Sequence, residues 1–357
     1  MGVLLGVFLH FIGGFASGSF YIPYKKVKSW HWESYWLVGG LISWLIAPML
    51  AAWLIVPGFW NIIGAASKAT LFWTYLMGVL WGFGGLTFGL SMRYLGMSLG
   101  MAIALGYCAA FGTLIPPLFY DLVSNPEGQT TISSLWHAAS GRTILCGVLL
   151  CLTGIAICGK AGVMKEKDLG KSKTAGTIIE FNLRKGILVA TISGILSSCF
   201  SFGLAFSKPI AALTQKSGVN PIFQNLPSLV VVLLGGLTTN LIWCVILNRK
   251  NKSFQDYTNA KAPLKWNYLF CTLAGITWYL QFFFYGMGSS KMGRYDFSSW
   301  TLHMAFIIIV SNAWGIYFKE WKGSQENTMR IIRLGIFTVI LSTAIVGLGN
   351  YMAFIGL

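Results

Sequence analysis

Long apolar segments separated by short polar stretches run along the whole chain. A membrane core about 30 Å thick requires about 20 mostly apolar residues per helix. On that criterion the sequence predicts an all-α integral membrane protein with ten transmembrane helices. The predicted spans are Val3–Tyr24, Glu33–Val56, Leu71–Met92, Leu95–Tyr120, Gly141–Val163, Gly186–Phe206, Ile222–Leu247, Trp266–Gly288, Tyr295–Phe318 and Ile331–Ile355.

Basic residues are concentrated in every second loop between these helices. Of the 26 Lys and Arg residues, 20 fall in the odd-numbered loops. Because cytoplasmic loops are enriched in Lys and Arg, we expect the odd loops in the cytoplasm and both termini in the periplasm, for a multi-pass protein of the cell inner membrane. The first apolar run is preceded by no basic residue and followed by three lysines, so it is interpreted as a retained helix rather than a cleaved secretory signal.

The composition agrees with the prediction of a membrane protein. Charged residues make up 10% of the chain and apolar residues 55%, whereas a soluble domain carries about a quarter of its residues as charged ones. The net charge of +16 therefore indicates topology rather than nucleic-acid binding. The seven cysteines lie in or beside apolar runs without a CxxC pair, and we expect neither disulfides, nor a metal site, nor a cofactor.

A charged segment, residues 164–185, divides the chain into two groups of five helices, residues 1–163 and 186–357. Two homologous halves with an odd number of helices insert in opposite orientations, as in many secondary transporters. Shifts of 196 or 197 residues align several Trp and Gly positions of the halves. The aligned pairs are Trp81 with Trp278, Phe88 with Tyr285, Gly89 with Gly286, Gly96 with Gly293, and Gly39-Gly40 with Gly235-Gly236. We interpret them as two inverted five-helix repeats, with chance matching as the alternative.

The predicted ninth helix carries ionisable residues on one face. Asp296, Trp300 and His303 lie at i, i+4 and i+7, with Ser299 beside them. A carboxylate and an imidazole can be tuned to exchange protons in the working range, as proton coupling requires. In the alternative, Asp296 pairs with the neighbouring Arg294 at the outer rim.

Two further ionisable residues are candidates for proton coupling. His10 lies as deep in the first helix as His303 does in the ninth. Each of these two histidines could instead be a neutral residue of the core. Glu33 follows Lys25, Lys26 and Lys28, and we interpret it first as a surface ion pair with these lysines and second as part of a gate.

The predicted eighth helix presents Trp278, Gln281 and Tyr285 on one face. An aromatic ring packs against the C–H face of a polyhydroxylated solute, and an amide meets its hydroxyl groups. A stripe of aromatic packing would explain the two rings equally well. Together with Trp300 and Ser299, these residues are the candidate substrate site.

Several longer stretches carry a resemblance to a known family. Through these stretches, the chain resembles the L-rhamnose–proton symporter family of the drug/metabolite transporter superfamily along nearly its whole length. The stretches are Pro23–Lys28, Trp32–Glu33, Trp81–Gly82, Met92–Ser98, Phe181–Leu183, Lys208–Pro209, Trp278–Tyr285, Tyr295–Asp296, Ser299–Trp300, Leu302–Met304 and Lys319–Trp321.

The resemblance implies the ten-helix inverted-repeat fold and proton-driven uptake of L-rhamnose, with L-lyxose and L-mannose as further candidate sugars. It also implies asparagines at three positions where this chain has Gly85, Thr87 and Ala205. Because side-chain amides bind sugar hydroxyls, these departures leave the identity of the sugar open.

Two other functions are compatible with ten helices. One is an exporter of a small metabolite on the same fold, and the other is an integral membrane enzyme. An enzyme would need clustered catalytic groups, and the ten acids and four histidines of this chain are scattered. The expected partners are a small sugar, a proton and the lipid bilayer, with neither nucleic acid nor an obligate protein partner. Transport direction, proton stoichiometry and oligomeric state stay open.

Overall fold

The computed structural model of the protein describes residues 2–95, 97–122, 130–169 and 182–356. All regular secondary structure in these ranges is helical. Ten helical segments among the described residues are long and apolar enough to cross a membrane. The prediction of an all-α membrane protein with ten spanning helices is therefore confirmed.

The ten membrane helices are named α1 to α10 in chain order. Their bounds are α1 Gly2–Ser19, α2 Trp32–Ile55, α3 Lys68–Leu95, α4 Met97–Leu122, α5 Ala139–Leu169, α6 Leu183–Phe206, α7 Leu226–Asn251, α8 Leu264–Ser289, α9 Ser298–Tyr317 and α10 Glu326–Phe354. Short helices follow α1, α2 and α6 and precede α5, at Tyr21–Tyr24, Phe59–Ala65, Lys208–Lys216 and Ile132–His137.

The fifth helix is longer than the prediction. It continues through Met164 to Leu169, into the segment predicted as a linker. Near its end, the Asp168 carboxylate accepts hydrogen bonds from the Gln325 backbone N–H at 2.9 Å and the Thr328 hydroxyl at 2.5 Å. Asp168 thus caps the start of α10, where backbone N–H groups lack helical partners. Residues 170–181 of the linker lie outside the described part of the chain.

The second helix contains a wider turn in its middle. Residues Ile42–Ile46 form a π turn that ends two residues before Pro48. Proline lacks a backbone N–H and its ring crowds the preceding turn, and a π turn is a common accommodation inside a long helix. The turn carries Trp44, whose ring lies 6.3 Å from the rings of both Trp81 and Trp278.

The helices pack in pairs that correspond between the two halves of the chain. The α6 helix packs on α3 and α4, as α1 packs on α8 and α9; α7 packs on α3, as α2 packs on α8; and α5 packs on α10. The α3–α7 contact passes through glycines, since a Cβ on Gly78 would lie 3.2 Å from the Cα of Gly235. Likewise, a Cβ on Gly275 of α8 would lie 2.5 Å from the Gly39 carbonyl oxygen of α2. This pattern is compatible with two inverted five-helix repeats. Of the aligned positions, Gly96 lies outside the described residues.

Candidate functional site

A cavity of about 390 Å³ opens at the end of the bundle that carries the even-numbered loops. Its walls come from α4, α6, the short helix Lys208–Lys216, the start of α7, the end of α8 and the start of α9. It reaches Gly112, which lies ten residues and hence about 15 Å from the end of α4. The volume falls within the usual range of small-molecule sites, roughly 300–1,000 Å³.

Two aromatic rings, Trp300 and Tyr285, form the inner wall of the cavity. The Trp300 ring stacks on Phe200, with centroids 5.8 Å apart and planes 25° apart. The Tyr285 ring meets Trp300 edge-on at 5.8 Å. The Trp300 indole N–H donates a 3.0 Å hydrogen bond to the Cys108 carbonyl oxygen, which fixes the orientation of the ring. The inner wall is thus a rigid aromatic platform.

An ion pair crosses the mouth of the cavity. The Lys208 ammonium lies 3.3 Å from the Asp296 carboxylate, and the two side chains are 44% and 37% exposed. Lys208 begins the short helix after α6, whereas Asp296 lies in the turn just before α9. The pair therefore links the segment after α6 to the turn before α9. The alternative partner predicted for Asp296, the side chain of Arg294, lies outside the described part of the structure.

Neutral polar groups complete the walls. Ser201 donates hydrogen bonds to the carbonyl oxygens of Gly112 at 3.1 Å and Ser198 at 2.9 Å. The Asn225 amide nitrogen donates to the Gly286 carbonyl oxygen at 2.9 Å. The remaining polar side chains of the wall include Gln215 and Gln224, which are hydrogen-bonded to each other, and Ser289 and Ser290. These groups can exchange hydrogen bonds with a polyhydroxylated solute.

Two histidines lie behind the aromatic platform. His10 of α1 is 0% exposed and His303 of α9 is 1% exposed. Their rings lie 5.3 Å and 5.2 Å from the ring of Tyr285. Both ring nitrogens of His10 and Nδ1 of His303 find no hydrogen-bond partner among the described residues. Helices α1, α8 and α9 therefore bring the two predicted imidazoles together, one ring away from the cavity.

Three predicted substrate residues do not line the cavity. Gln281 and Ser299 are buried in α8 and α9, 4% and 0% exposed. Trp278 lies on the other side of the platform, where its ring meets Phe20 at 3.8 Å and Trp36 at 5.4 Å. Of the predicted substrate set, Tyr285 and Trp300 face the cavity.

The interpretation of Glu33 as a surface ion pair is wrong. Glu33 is 3% exposed, and its carboxylate accepts hydrogen bonds from the Asn251 amide at 2.9 Å and the Ser253 hydroxyl at 2.6 Å. Lys25 pairs instead with Glu320, at 3.4 Å. The end of α7 and the following turn cover Glu33, at the end of the bundle opposite the cavity.

The same end holds a second buried carboxylate that the sequence analysis did not single out. Asp256 accepts hydrogen bonds from the His31 backbone N–H at 2.8 Å, the His31 ring at 2.9 Å and the Ser34 hydroxyl at 2.8 Å. Burial alone would raise the pKa of Asp256, but these hydrogen bonds outweigh burial and lower it. They tie the start of α2 to the loop after α7.

Lys208 is the main residue of the cavity that the sequence analysis did not assign to the site. Its only local signal was the Lys208–Pro209 break after α6, and Asp296 lies 88 positions further along the chain. Ala205, one of the three departures from the family pattern, does line the cavity, whereas Gly85 and Thr87 do not.

The sequence of the chain was compared with known protein families. Residues 1–353 match the L-rhamnose-proton symport protein family, RhaT. The L-rhamnose-proton symporters of Pectobacterium carotovorum subsp. carotovorum (strain PC1) and Yersinia pestis (strain Pestoides F) are each 40% identical over 351 residues, which cover 97% of this chain and 98% of each relative. The family is one of transporters rather than enzymes. The resemblance read from the sequence is thus confirmed, and the chain belongs to the L-rhamnose-proton symport protein family.

Proposed function

We propose that this protein imports L-rhamnose together with a proton by alternating access. The observation that carries the proposal is the cavity, where an aromatic platform and a carboxylate share one chamber open to solvent. The relatives supply the class of cargo, because they are named as L-rhamnose-proton symporters.

The walls of the cavity suit a neutral sugar. A pyranose ring presents C–H groups on its faces and hydroxyl groups at its edge. Trp300 lies in the cavity wall, where its aromatic ring can contact the C–H groups, and its orientation is held by the bond to Cys108. Ser201 and Asn225 lie in the same walls and offer hydroxyl and amide groups to the sugar hydroxyls.

Asp296 is our first candidate for the coupling acid. It lies in the wall of the cavity, where it can take up a proton from the water that also brings the sugar. His303 and His10 are further candidates, because they lie one ring behind the cavity wall. Glu33 is the candidate at the opposite end of the bundle, where a proton would leave.

The orientation of the molecule rests on its charge distribution. With 20 of 26 Lys and Arg in the odd loops, the positive-inside rule favours a cytoplasmic location for the end opposite the cavity. On that assignment the cavity is a periplasmic entrance and both termini are periplasmic. Exchange of conformation between the inverted halves would then produce the inward-open state of the inner-membrane carrier.

The departures from the family pattern remove few hydrogen-bonding side chains from this cavity. Thr87 donates its hydroxyl to the Phe83 and Gly84 carbonyl oxygens of its own helix, at 2.9 Å and 3.1 Å. Only Ala205 replaces an implied asparagine in the cavity wall. Because Gln215, Gln224 and Asn225 still supply amides there, we retain L-rhamnose as the first substrate, ahead of L-lyxose and L-mannose.

Uptake by the purified chain in liposomes tests the proposal. Labelled L-rhamnose should accumulate when the outside is more acidic than the inside, and only equilibrate without a pH gradient. Unlabelled L-lyxose and L-mannose serve as competitors, and D-glucose serves as a control.

Absence of rhamnose uptake would refute the substrate, and accumulation that does not depend on the pH gradient would refute proton coupling. Expulsion of a preloaded solute by an inward proton gradient would instead support an exporter. Because only the purified chain is present, the test also addresses whether a protein partner is required.

A further inference from the structure

Lys208 is a charged residue in a cavity proposed for a neutral sugar. Among the described residues that line the cavity, Lys208 and Asp296 are the only two with charged side chains. The other titratable side chains of the wall are Tyr120 of α4 and Tyr285 of α8. A neutral sugar needs hydrogen bonds but no fixed pair of opposite charges, so the pair requires another explanation.

The position of the pair supplies that explanation. Lys208 lies two residues after the end of α6 at Phe206, and Asp296 lies two residues before the start of α9 at Ser298. These two helices contribute different parts of the cavity wall. The 3.3 Å contact therefore depends on the relative position of α6 and α9, because it forms only when these two segments lie close together.

We propose that Lys208 is an internal counter-ion that competes with the transported proton for Asp296. This inference rests on the proposed function, in which Asp296 is the coupling acid. Before proton uptake, the ammonium and the carboxylate neutralise each other. A proton from the periplasmic water then binds a carboxylate oxygen of Asp296, while Lys208 keeps its own proton. The charge of the pair rises from zero to +1, and the Lys208 ammonium becomes a donor for a sugar hydroxyl.

Two consequences follow from this exchange of partners. Sugar binds better after proton uptake, because its hydroxyl no longer competes with a carboxylate for Lys208. The loaded carrier also holds one additional positive charge, which the membrane potential drives inward. Lys208 thus links protonation to sugar binding without being deprotonated.

Four variants in liposomes test the inference, with both pH-driven accumulation and sugar exchange measured. Lys208→Gln leaves a carboxylate without its counter-ion, and such a carboxylate holds its proton more readily. We expect accumulation to fall at least tenfold and the pH profile of exchange to move toward higher pH. Lys208→Arg should retain coupling. The double variant Lys208→Gln with Asp296→Asn should retain exchange without accumulation and lose the pH dependence of exchange. Lys216→Gln, an exposed change on the same short helix, should behave as the wild type.

The outcomes separate this inference from the proposed function. If the wild type does not accumulate L-rhamnose, the proposed function and the inference both fail. If the wild type accumulates it and Lys208→Gln does so equally, with an unchanged pH profile, only the inference fails. If the double variant keeps the shifted pH profile of Lys208→Gln, while all variants insert and elute normally from a sizing column, Lys208 does not act through Asp296 and the inference is also refuted.

Discussion

Gly112 of α4 offers a sharp test of the aromatic platform. A Cβ at this position would overlap the Nε1 and Cδ1 atoms of Trp300, so Gly112→Ala must displace the indole. The displaced ring loses its hydrogen bond to the Cys108 carbonyl oxygen and its stacking on Phe200. Because Trp300 is the proposed contact for the sugar face, the substitution should lower sugar affinity without replacing a polar side chain of the cavity.

The expected magnitudes follow from the contacts that are lost. Overpacking a filled interior costs about 1–3 kcal/mol, and the lost hydrogen bond costs about 1 kcal/mol. Alanine is the better helix former by about 1 kcal/mol, which offsets part of this cost. Loss of an ordered aromatic contact is worth about 0.5–1.5 kcal/mol beyond its area, so we expect L-rhamnose affinity to fall about two- to twelvefold.

The assay compares two alanine variants of the same helix. Gly106→Ala serves as the control, because its Cβ would meet only Ile155, at an ordinary 3.8 Å. Affinity is measured from the concentration dependence of exchange, and thermal stability in detergent is measured in parallel. Gly112→Ala should lose affinity and stability, whereas Gly106→Ala should lose neither. Equal affinity in both variants would show that Trp300 does not form the sugar contact.

Three further outcomes are expected. Asp296→Asn should abolish pH-driven accumulation while sugar exchange persists, and exposed Glu326→Gln should change neither; normal accumulation by Asp296→Asn would exclude Asp296 as the coupling acid. A C-terminal reporter that is active only in the cytoplasm should stay inactive, and activity would reverse the proposed orientation. Asp256→Asn should lower the free energy of unfolding by about 1–3 kcal/mol, because an amide cannot accept all the hydrogen bonds donated by His31 and Ser34. Since the folded pKa of Asp256 is lowered, this stabilisation is fully present above about pH 4 and is lost as the pH falls through the folded pKa. Thermal melts over that range would refute the prediction if the melting temperatures of the wild type and the variant fell by the same amount.

The membrane helices could be predicted because each one carries its own signal. Lipid requires an apolar helix of a certain length, and that requirement is local in the sequence. The end of α6 at Phe206 was also predictable, since Pro209 lacks the backbone N–H that would continue the helix past this point. The end of α5 was not, because the helix continues to Leu169 in charged residues beyond the apolar run. The contact that supports this extension, from Asp168 to α10, joins residues far apart in the chain.

The candidate site was only partly predictable for the same reason. Trp300 and His303 share one short stretch of α9, and Asp296 lies in the turn just before this helix rather than on the predicted ninth helix. Their closeness in sequence alone predicted that they lie near one another. Glu33 was misread because the nearby lysines suggested local partners, whereas Asn251 and Ser253 lie more than 200 residues away in sequence. Which face of α8 meets the cavity depends on packing against α1 and α7, so Tyr285 lines it and Gln281 does not. A helical period identifies a shared face but not what that face contacts.

The position of Asp296 and Trp300 within one chamber sets a thermodynamic condition on the coupling that we propose. A sugar stacked on Trp300 displaces water from around Asp296, and loss of water favours the neutral, protonated carboxyl group. By linkage, the factor by which sugar strengthens proton binding equals the factor by which a proton strengthens sugar binding. Sugar affinity measured at equilibrium must therefore rise on acidification, and tryptophan fluorescence titrations with L-rhamnose between pH 5 and pH 8 would measure it. An affinity independent of pH across this range would contradict coupling through a shared chamber, even if uptake itself depended on the pH gradient.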